Sequence, residues 1–171
     1  MMGGKNLIVN NLNAFVHDTT RVLIIGSMPS VQSLQKKQYY GNPRNHFWGI
    51  IAHLTNEHVP DVYEERLDLL RRHGIGLWDA IASCERQGSL DAAIKQEVPN
   101  DFAALFRAYP QIEAVFFNGG KAFTVFKRHV GLDVLAERHY EQLPSTSPIP
   151  GKNIKSFDEK IDVWRAIERY I

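Results

Sequence analysis

Four stretches of the chain hold side chains able to bind, polarise or orient a ligand, and each stands beside a Gly or Pro that shapes the backbone. They are Gly26-Ser27-Met28-Pro29-Ser30, Tyr39-Tyr40-Gly41-Asn42-Pro43-Arg44-Asn45, Asn118-Gly119-Gly120-Lys121, and the run from Leu143 to Lys152 (LPSTSPIPGK). Asn42 followed by Pro43 predicts a helix start, because Asn accepts an amide hydrogen bond as N-cap and Pro at the first position lacks only an N–H that would be unpaired anyway. Asn45 then falls in the first turn. Its carboxamide can position a water or hold an anion without carrying charge, or it can serve only as a solvated or second capping group. Tyr39 and Tyr40 sit where an aromatic platform for a planar ligand would be placed, and either could instead be a lid over the core.

Asn118-Gly119-Gly120 allows a tight turn with exposed amides at a helix N-terminus, which favours an anion or a closely packed ligand. It matches neither the phosphate loop nor the Gly-x-Gly-x-x-Gly fingerprint. In the last stretch, Ser145, Thr146 and Ser147 are bracketed by Pro144 and Pro148. The prolines stiffen a loop whose hydroxyls and amides can hold a phosphate, with Ile149 as an apolar wedge and Lys152 and Lys155 behind, or which is a plain surface loop. No His-Glu-x-x-His, no Cys pair and no Asp-rich calcium loop occurs, and the seven histidines are scattered, so no metal and no cofactor is expected. A Gly-x-Ser-x-Gly elbow is also missing.

Strands and helices must position these groups. Arg21 to Met28, Ile75 to Ile81, Ala114 to Asn118 and Arg138 to Leu143 read as strands, three of them as short apolar runs suited to burial on both faces. Helical stripes lie between them: Phe47, Ile50, Ile51 and Leu54, then Phe123, Phe126 and Val130. Ser156 and Glu159 form a capping-box pair ahead of Phe157, Ile161, Trp164, Ile167 and Ile171. Alternation of the two element types predicts an α/β fold, a three-layer α/β/α sandwich around a short, mostly parallel sheet, whose ligand sites gather at the carboxyl ends of the strands.

The 171 residues carry 44% hydrophobic and 23% charged residues, ordinary for a soluble globular chain, and are read as one domain over 1–171. No stretch nears the roughly 18 to 20 apolar residues of a membrane helix, and the start lacks the order of a signal peptide, so a cytoplasmic protein without membrane attachment is expected. One cysteine, Cys84, rules out an internal disulfide framework. Lys+Arg 20 against Asp+Glu 19 gives net charge +1, which excludes a globally basic nucleic-acid coat. A polyanion would have to be held by local patches and backbone amides.

Taken together, the motifs resemble the uracil-DNA glycosylase superfamily, whose members carry Gly-x-x-Pro after the first strand, an aromatic platform, and a Pro-Ser loop after the last strand. The counterparts here are Gly26-Ser27-Met28-Pro29, Tyr40 and Pro144-Ser145. The run Tyr40-Gly41-Asn42-Pro43-Arg44-Asn45-His46-Phe47-Trp48 is similar to the aromatic-x-His-Pro-x-Asn-Arg-Phe-Trp run of the mismatch-specific glycosylases. Gly-Ser-Met-Pro-Ser, Leu-Pro-Ser-Thr-Ser-Pro, Gly76 to Asp79 (GLWD) and Gly88 to Asp91 (GSLD) most resemble the hypoxanthine-DNA glycosylase family within it. The likeness runs from about Arg21 to Trp164.

One position departs from the wider pattern. Most superfamily members place Asn or Asp, which activates the attacking water, where this chain has Met28, and a thioether is only a weak acceptor. The resemblance offers Asn45 in its stead. It implies a base pocket of Gly26, Ser27, Met28, Pro29, Tyr40 and Phe47, with Asn118 as a hydrogen-bond partner for the base edge. It further implies DNA contacts from Ser30, Pro144, Ser145, Thr146, Ser147, Pro148, Ile149 and Lys152. Lys36, Lys37, Arg44, Arg86 and Lys155 are either further phosphate contacts or solvated surface. Asp79 either orients pocket groups or caps the following turn.

The implied reaction is hydrolytic release of an extruded deaminated base, hypoxanthine from deoxyinosine, from double- or single-stranded DNA. Without an implied lysine nucleophile, the enzyme would be monofunctional; a monomer is expected. Two alternatives remain: a uracil or mismatch glycosylase of the same superfamily, and a DNA-binding relative without catalysis.

Overall fold

Runs of branched and aromatic residues form the strands that organise the molecule. The computed structural model describes residues 8–148 and 155–171. Its elements are β1 (Ile8–Asn10), β2 (Val22–Gly26), α1 (Val31–Lys36), α2 (Phe47–Leu54), α3 (Tyr63–Arg72), β3 (Ile75–Asp79), β4 (Ile81–Glu85), β5 (Lys95–Pro99), α4 (Phe102–Ala108), β6 (Ala114–Asn118), α5 (Gly120–Val125), β7 (His139–Leu143) and α6 (Phe157–Trp164). The central sheet has the order β3-β2-β6-β7 and every pairing in it is parallel. All four strands expected from the sequence are in it.

Period-two alternation along the strands divides the core into two layers. Val22, Ile24, Ile75, Leu77, Ala114 and Phe116 pack with Phe47, Ile50 and Ile51 of α2, Leu69 and Leu70 of α3, and Ile161 and Trp164 of α6. Leu23, Ile25, Val115 and Phe117 face the other way, against Phe102, Leu105 and Phe106 of α4 and Ala122 and Val125 of α5. With helices on both faces, β2, β3 and β6 have no solvent side, which explains their unbroken apolar runs, whereas the edge strand β7 alternates and exposes Tyr140 and Gln142. Register then aligns the chemistry: Gly26 lies opposite Asp79, and Asn118 opposite Leu143.

Two features differ from the sequence reading. A second sheet, β1-β4-β5, is antiparallel and flanks the first. Strand β4 follows β3 after the single residue Ala80, so what reads as one apolar run is two strands in different sheets. The Asn42-Pro43 helix start is also corrected. Helix α2 begins only at Phe47, with His46 at its N-cap position. Asn42 Oδ1 instead accepts from Arg44 N (3.0 Å) and Asn45 Oδ1 from Phe47 N (2.9 Å). Two successive Asx turns thus satisfy amides that a helix would otherwise use, delaying its start by one turn.

The C-terminal helix forms as its capping box predicts. Ser156 Oγ accepts from Glu159 N (3.2 Å), and Ser156 N donates to Glu159 Oε1 (2.9 Å). Its buried Trp164 donates Nε1–H to Pro144 O (2.9 Å), so α6 holds the start of the loop that follows β7.

Candidate active site

The carboxyl ends of all four parallel strands open onto one cavity of about 340 Å³. This volume is near the lower end of the roughly 300–1,000 Å³ usual for ligand pockets and suits one compact group. The cavity lies where the chain leaves β2 toward β3 on one side and β6 on the other, the crevice in which such sheets bind ligands. Asn45, Met28, Tyr40 and Ser145, drawn from three separate loops, all line it.

Strand β2 ends at Gly26, and the chain bends at Ser27. A Cβ on Gly26 would lie 2.5 Å from Asp79 Oδ1, so no other residue fits while Asp79 keeps its position. The following loop is tied down from outside the sheet. Ser27 Oγ donates to Asp91 Oδ1 (2.8 Å), and Val31 N donates to Ser89 Oγ (2.9 Å). Arg86 Nη2 also donates to Pro29 O. These contacts give the Gly88 to Asp91 motif a structural reason, since its Ser and Asp brace the Gly26 to Ser30 loop. Ser30 is the N-cap of α1, its Oγ accepting from Ser33 N (3.1 Å) while the residue still lines the cavity.

The two tyrosines separate into different roles. Tyr39 is buried and clamped: its hydroxyl donates to Asn13 O (2.6 Å), its N–H to Tyr63 Oη (2.9 Å), and Trp48 Nε1 donates to its carbonyl (3.2 Å). Tyr40 adopts a left-handed backbone, φ 53°, and lies against the Phe47 ring with centroids 3.9 Å apart and planes 17° from parallel. Phe47 is fully buried and does not line the cavity. The expectation that it forms a pocket wall is corrected: it backs the Tyr40 ring.

At the end of β6, the Asn118 amide is held from two sides. Thr146 N donates to Asn118 Oδ1 (3.0 Å), which fixes the orientation of the carboxamide, because a backbone N–H can only donate. Asn118 Nδ2 then donates to Thr146 Oγ1 (3.0 Å) and to Tyr40 Oη (3.2 Å). Thr146 is 1% exposed and its carbonyl accepts from His46 N (3.0 Å), so its expected contact with a flanking phosphate is corrected to an inward, positioning one. Gly119, with φ 97°, lets the chain pass Ser145: a Cβ there would meet Ser145 Cβ at 3.1 Å. Ser145 is exposed, and its Oγ accepts from Ser147 N (3.1 Å).

Several participants carried no signal in the sequence. Buried Lys160 of α6 lies with Nζ 3.1 Å from His46 Nδ1 and 3.5 Å from Ser147 O, joining the segment before α2 to the loop after β7. Burial and the neighbouring Lys160 ammonium lower the His46 pKa. Leu90, half exposed, also lines the cavity. Of the cations weighed for phosphate contact, Arg86 is 2% exposed and belongs to the interior, which corrects that expectation. Lys36 Nζ folds back to Gly41 O (2.9 Å), while Lys37, Arg44 and Lys155 are exposed. Ile149 and Lys152 lie outside the described residues.

Asp79 sits opposite Gly26 at the end of β3 and lines the same cavity. It is 4% exposed, and its Oδ2 has no hydrogen-bond partner among the described residues. Among the described residues its side chain caps no turn, and its carbonyl accepts from Asn100 Nδ2 (2.6 Å). Among the described residues, no group of His, Cys, Asp and Glu is placed to hold a metal ion, and no helix is long and apolar enough to cross a membrane.

A parallel sheet with a cavity at its carboxyl edge, backed by stacked aromatic rings and walled by carboxamides and hydroxyls, defines a class of α/β proteins built to take up a planar polar group. The comparisons say which. The model of the uracil DNA glycosylase superfamily matches residues 14–168, and the chain belongs to that superfamily. It is 35% identical over 167 residues to a hypoxanthine DNA glycosylase of Methanosarcina acetivorans, covering 96% of this chain and 100% of that one. A hypoxanthine DNA glycosylase of Methanosarcina barkeri is 39% identical over 108 residues, 63% of this chain and 68% of that one. A solution NMR structure from M. acetivorans, described as a candidate uracil DNA glycosylase, superposes with TM-score 0.75 at 36% identity, covering 95% of this chain and 99% of that one.

Proposed function

We propose that this chain is a monofunctional, monomeric DNA glycosylase that releases hypoxanthine from deoxyinosine in DNA, without a metal or cofactor. The observation that carries the reading is the meeting of Asn45, Tyr40, Met28 and Ser145 around one cavity of about 340 Å³ at the edge of the parallel sheet. The names of the Methanosarcina relatives support the choice of base.

A base stacked in a duplex is out of reach, so the nucleotide is extruded, at a cost of a few kcal/mol that is smallest for a mispaired base. The purine then stacks on Tyr40, whose ring is held in place by Phe47. Breaking the C1′–N9 bond leaves positive charge on the sugar and negative charge on the base, so fixed donors around the base lower the barrier. The backbone N–H groups of Ser27, Met28 and Ser30 border the cavity as donors, while Asn118, with both Nδ2 hydrogens given to Thr146 Oγ1 and Tyr40 Oη, positions those groups beside it.

Asn45 takes the water. Its Oδ1 is held by Phe47 N–H, which leaves Nδ2 without a partner among the described residues. A carboxamide fixed through one atom can hold water through the other, which Met28 cannot do. Exposed Ser145 supplies a phosphate contact, with Pro148 and Leu90 as the apolar groups at the mouth and Arg44 as the nearby cation.

Duplexes carrying deoxyinosine, deoxyuridine, deoxyxanthosine or ethenocytosine, incubated with excess protein and then treated with alkali, test the reading. Cleavage at deoxyinosine should exceed cleavage at the other three, and only after alkali. Absence of release from all four would refute glycosylase activity. Nicking before alkali would refute the monofunctional mechanism, and faster release of uracil would reassign the substrate.

A further inference from the structure

We infer that Asp79 is the acid that protonates the departing base. The inference rests on the glycosylase reading and adds to it a group that the water-holding role of Asn45 does not supply. Three observations lead to it. Asp79 lines the cavity at the end of β3, directly across from Gly26 and beside the Tyr40 hydroxyl, which lies 3.5 Å from the position of a Gly26 Cβ. The residue is 4% exposed. And Oδ2, closed off from solvent, has no partner within the described protein, so no donor stabilises a carboxylate there, while the residue borders the cavity.

A buried carboxyl without hydrogen-bond donors is poorly suited to carry a charge. The groups facing Asp79 reinforce this. Asp91, from the 88–91 loop, repels a carboxylate there, and the Tyr39 and Tyr40 hydroxyls remain neutral because burial, then Asp79 itself, raises both. Arg86, following β4, is the one cation that draws Asp79 toward ionisation, yet it makes no ion pair with it among the described residues and spends Nη2 on Pro29 O. Burial dominates, with Asp91 adding to it, and Asp79 is pushed up to about 7. It can therefore hold a proton at neutral pH and also give it up, the condition for efficient general-acid catalysis.

The step balances without another reactant. The C1′–N9 electron pair leaves with the purine, and the proton of the Asp79 carboxyl neutralises the base at a ring nitrogen. Water adds to C1′ as hydroxide, its proton passes to solvent, and solvent returns a proton to Asp79. The products are neutral hypoxanthine and an abasic site.

Single-turnover base release from a deoxyinosine duplex, followed from about pH 5.5 to about pH 9.5, reads this directly. Wild-type rates should fall about tenfold per pH unit on the alkaline side of a midpoint near neutrality. Asp79→Asn, which fills the same space but carries no acidic proton, should lose roughly 10²- to 10³-fold at acidic pH and show no alkaline limb. Its affinity for a duplex containing 2′-fluoro-deoxyinosine should stay within about threefold, which a collapsed pocket would not allow. The ¹³C carboxyl shift of Asp79 in the free wild-type protein should titrate near neutrality, a readout independent of turnover.

Wild-type release that is flat with pH, or that rises through neutrality as a carboxylate acceptor would require, overturns the acid role alone. So does Asp79→Asn with an intact alkaline limb, or a carboxyl shift already ionised at about pH 5. No base release by the wild type overturns the glycosylase reading and this inference together.

Discussion

Asn118 and Thr146 hold each other through two hydrogen bonds of 3.0 Å, one from the Thr146 backbone N–H to Oδ1 and one from Nδ2 to the Thr146 hydroxyl. The end of β6 is thereby locked to the loop after β7, and through the second Nδ2 bond to Tyr40 as well. Thr146→Val keeps the shape and the backbone bond but removes the hydroxyl acceptor. It should destabilise the protein by about 1 kcal/mol in urea unfolding. Asn118→Ala leaves the buried Thr146 N–H unpaired and should cost more, about 1–3 kcal/mol, while also slowing base release.

Asp79 ties stability to pH in a direction opposite to that of a salt-bridged carboxylate. Its pKa is raised from 3.8 to about 7 in the folded chain, so between those values the native state binds more protons than the unfolded one. Stability from this group is present at low pH and is lost as pH rises through about 7, by up to a few kcal/mol. Asp79→Asn should abolish that loss. Thermal unfolding of both proteins at several pH values checks it: the variant should gain in Tm over wild type at about pH 8 and gain least at about pH 4.

Gly26 and Asp79 cannot be changed independently. A Cβ at position 26 lies 2.5 Å from Asp79 Oδ1, so Gly26→Ala must displace a buried carboxyl and should cost about 1–3 kcal/mol. In an Asp79→Gly background the same change should be nearly neutral. A double-mutant cycle measured by denaturant unfolding gives the coupling; strict additivity would contradict the contact.

Lys160 reaches the site from the last helix. Lys160→Met should remain folded, since among the described residues the ammonium has His46 and the Ser147 carbonyl as its polar partners, but the segment before α2 and the β7 loop would lose their link. The His46 pKa, held down by burial and then by Lys160, should rise in the variant, as ¹H–¹⁵N NMR titration of the ring would record.

The legible parts of the sequence were those in which one physical demand acts alone. Val22 to Gly26 and Ala114 to Asn118 are buried at every position, so apolar runs mark them, and the Ser156/Glu159 pair announces the last helix. The flanking sheet was hidden because β5 (KQEVP) lies on the surface with polar side chains and its pairing with β4 is irregular. Asn42 misled because its side chain serves a helix cap and an Asx turn equally well, and only tertiary packing chose the turn. Thr146 and Arg86 look like surface groups by type. Their burial depends on partners 28 and 57 residues away, Asn118 and Pro29, which spacing along the chain does not encode.

Tyr40 separates stacking from hydrogen bonding. Tyr40→Phe keeps the ring on Phe47 and loses only the bond from Asn118, so binding of a deoxyinosine duplex should weaken by no more than about tenfold. Tyr40→Ala removes the platform and should weaken it by about 10- to 100-fold. Equal losses would mean that the hydroxyl, and not the ring, carries the interaction.

Asn45 is the group on which water delivery depends. Direct quantification of free hypoxanthine, under single-turnover conditions with excess wild-type protein or Asn45→Ala on a deoxyinosine duplex, tests this. The wild type should release stoichiometric base. Asn45→Ala should be slower by at least about 10²-fold while binding an abasic-site duplex as tightly as the wild type. Undiminished release by Asn45→Ala would contradict the assignment of the water to this carboxamide, and no hypoxanthine from the wild type would contradict the glycosylase itself.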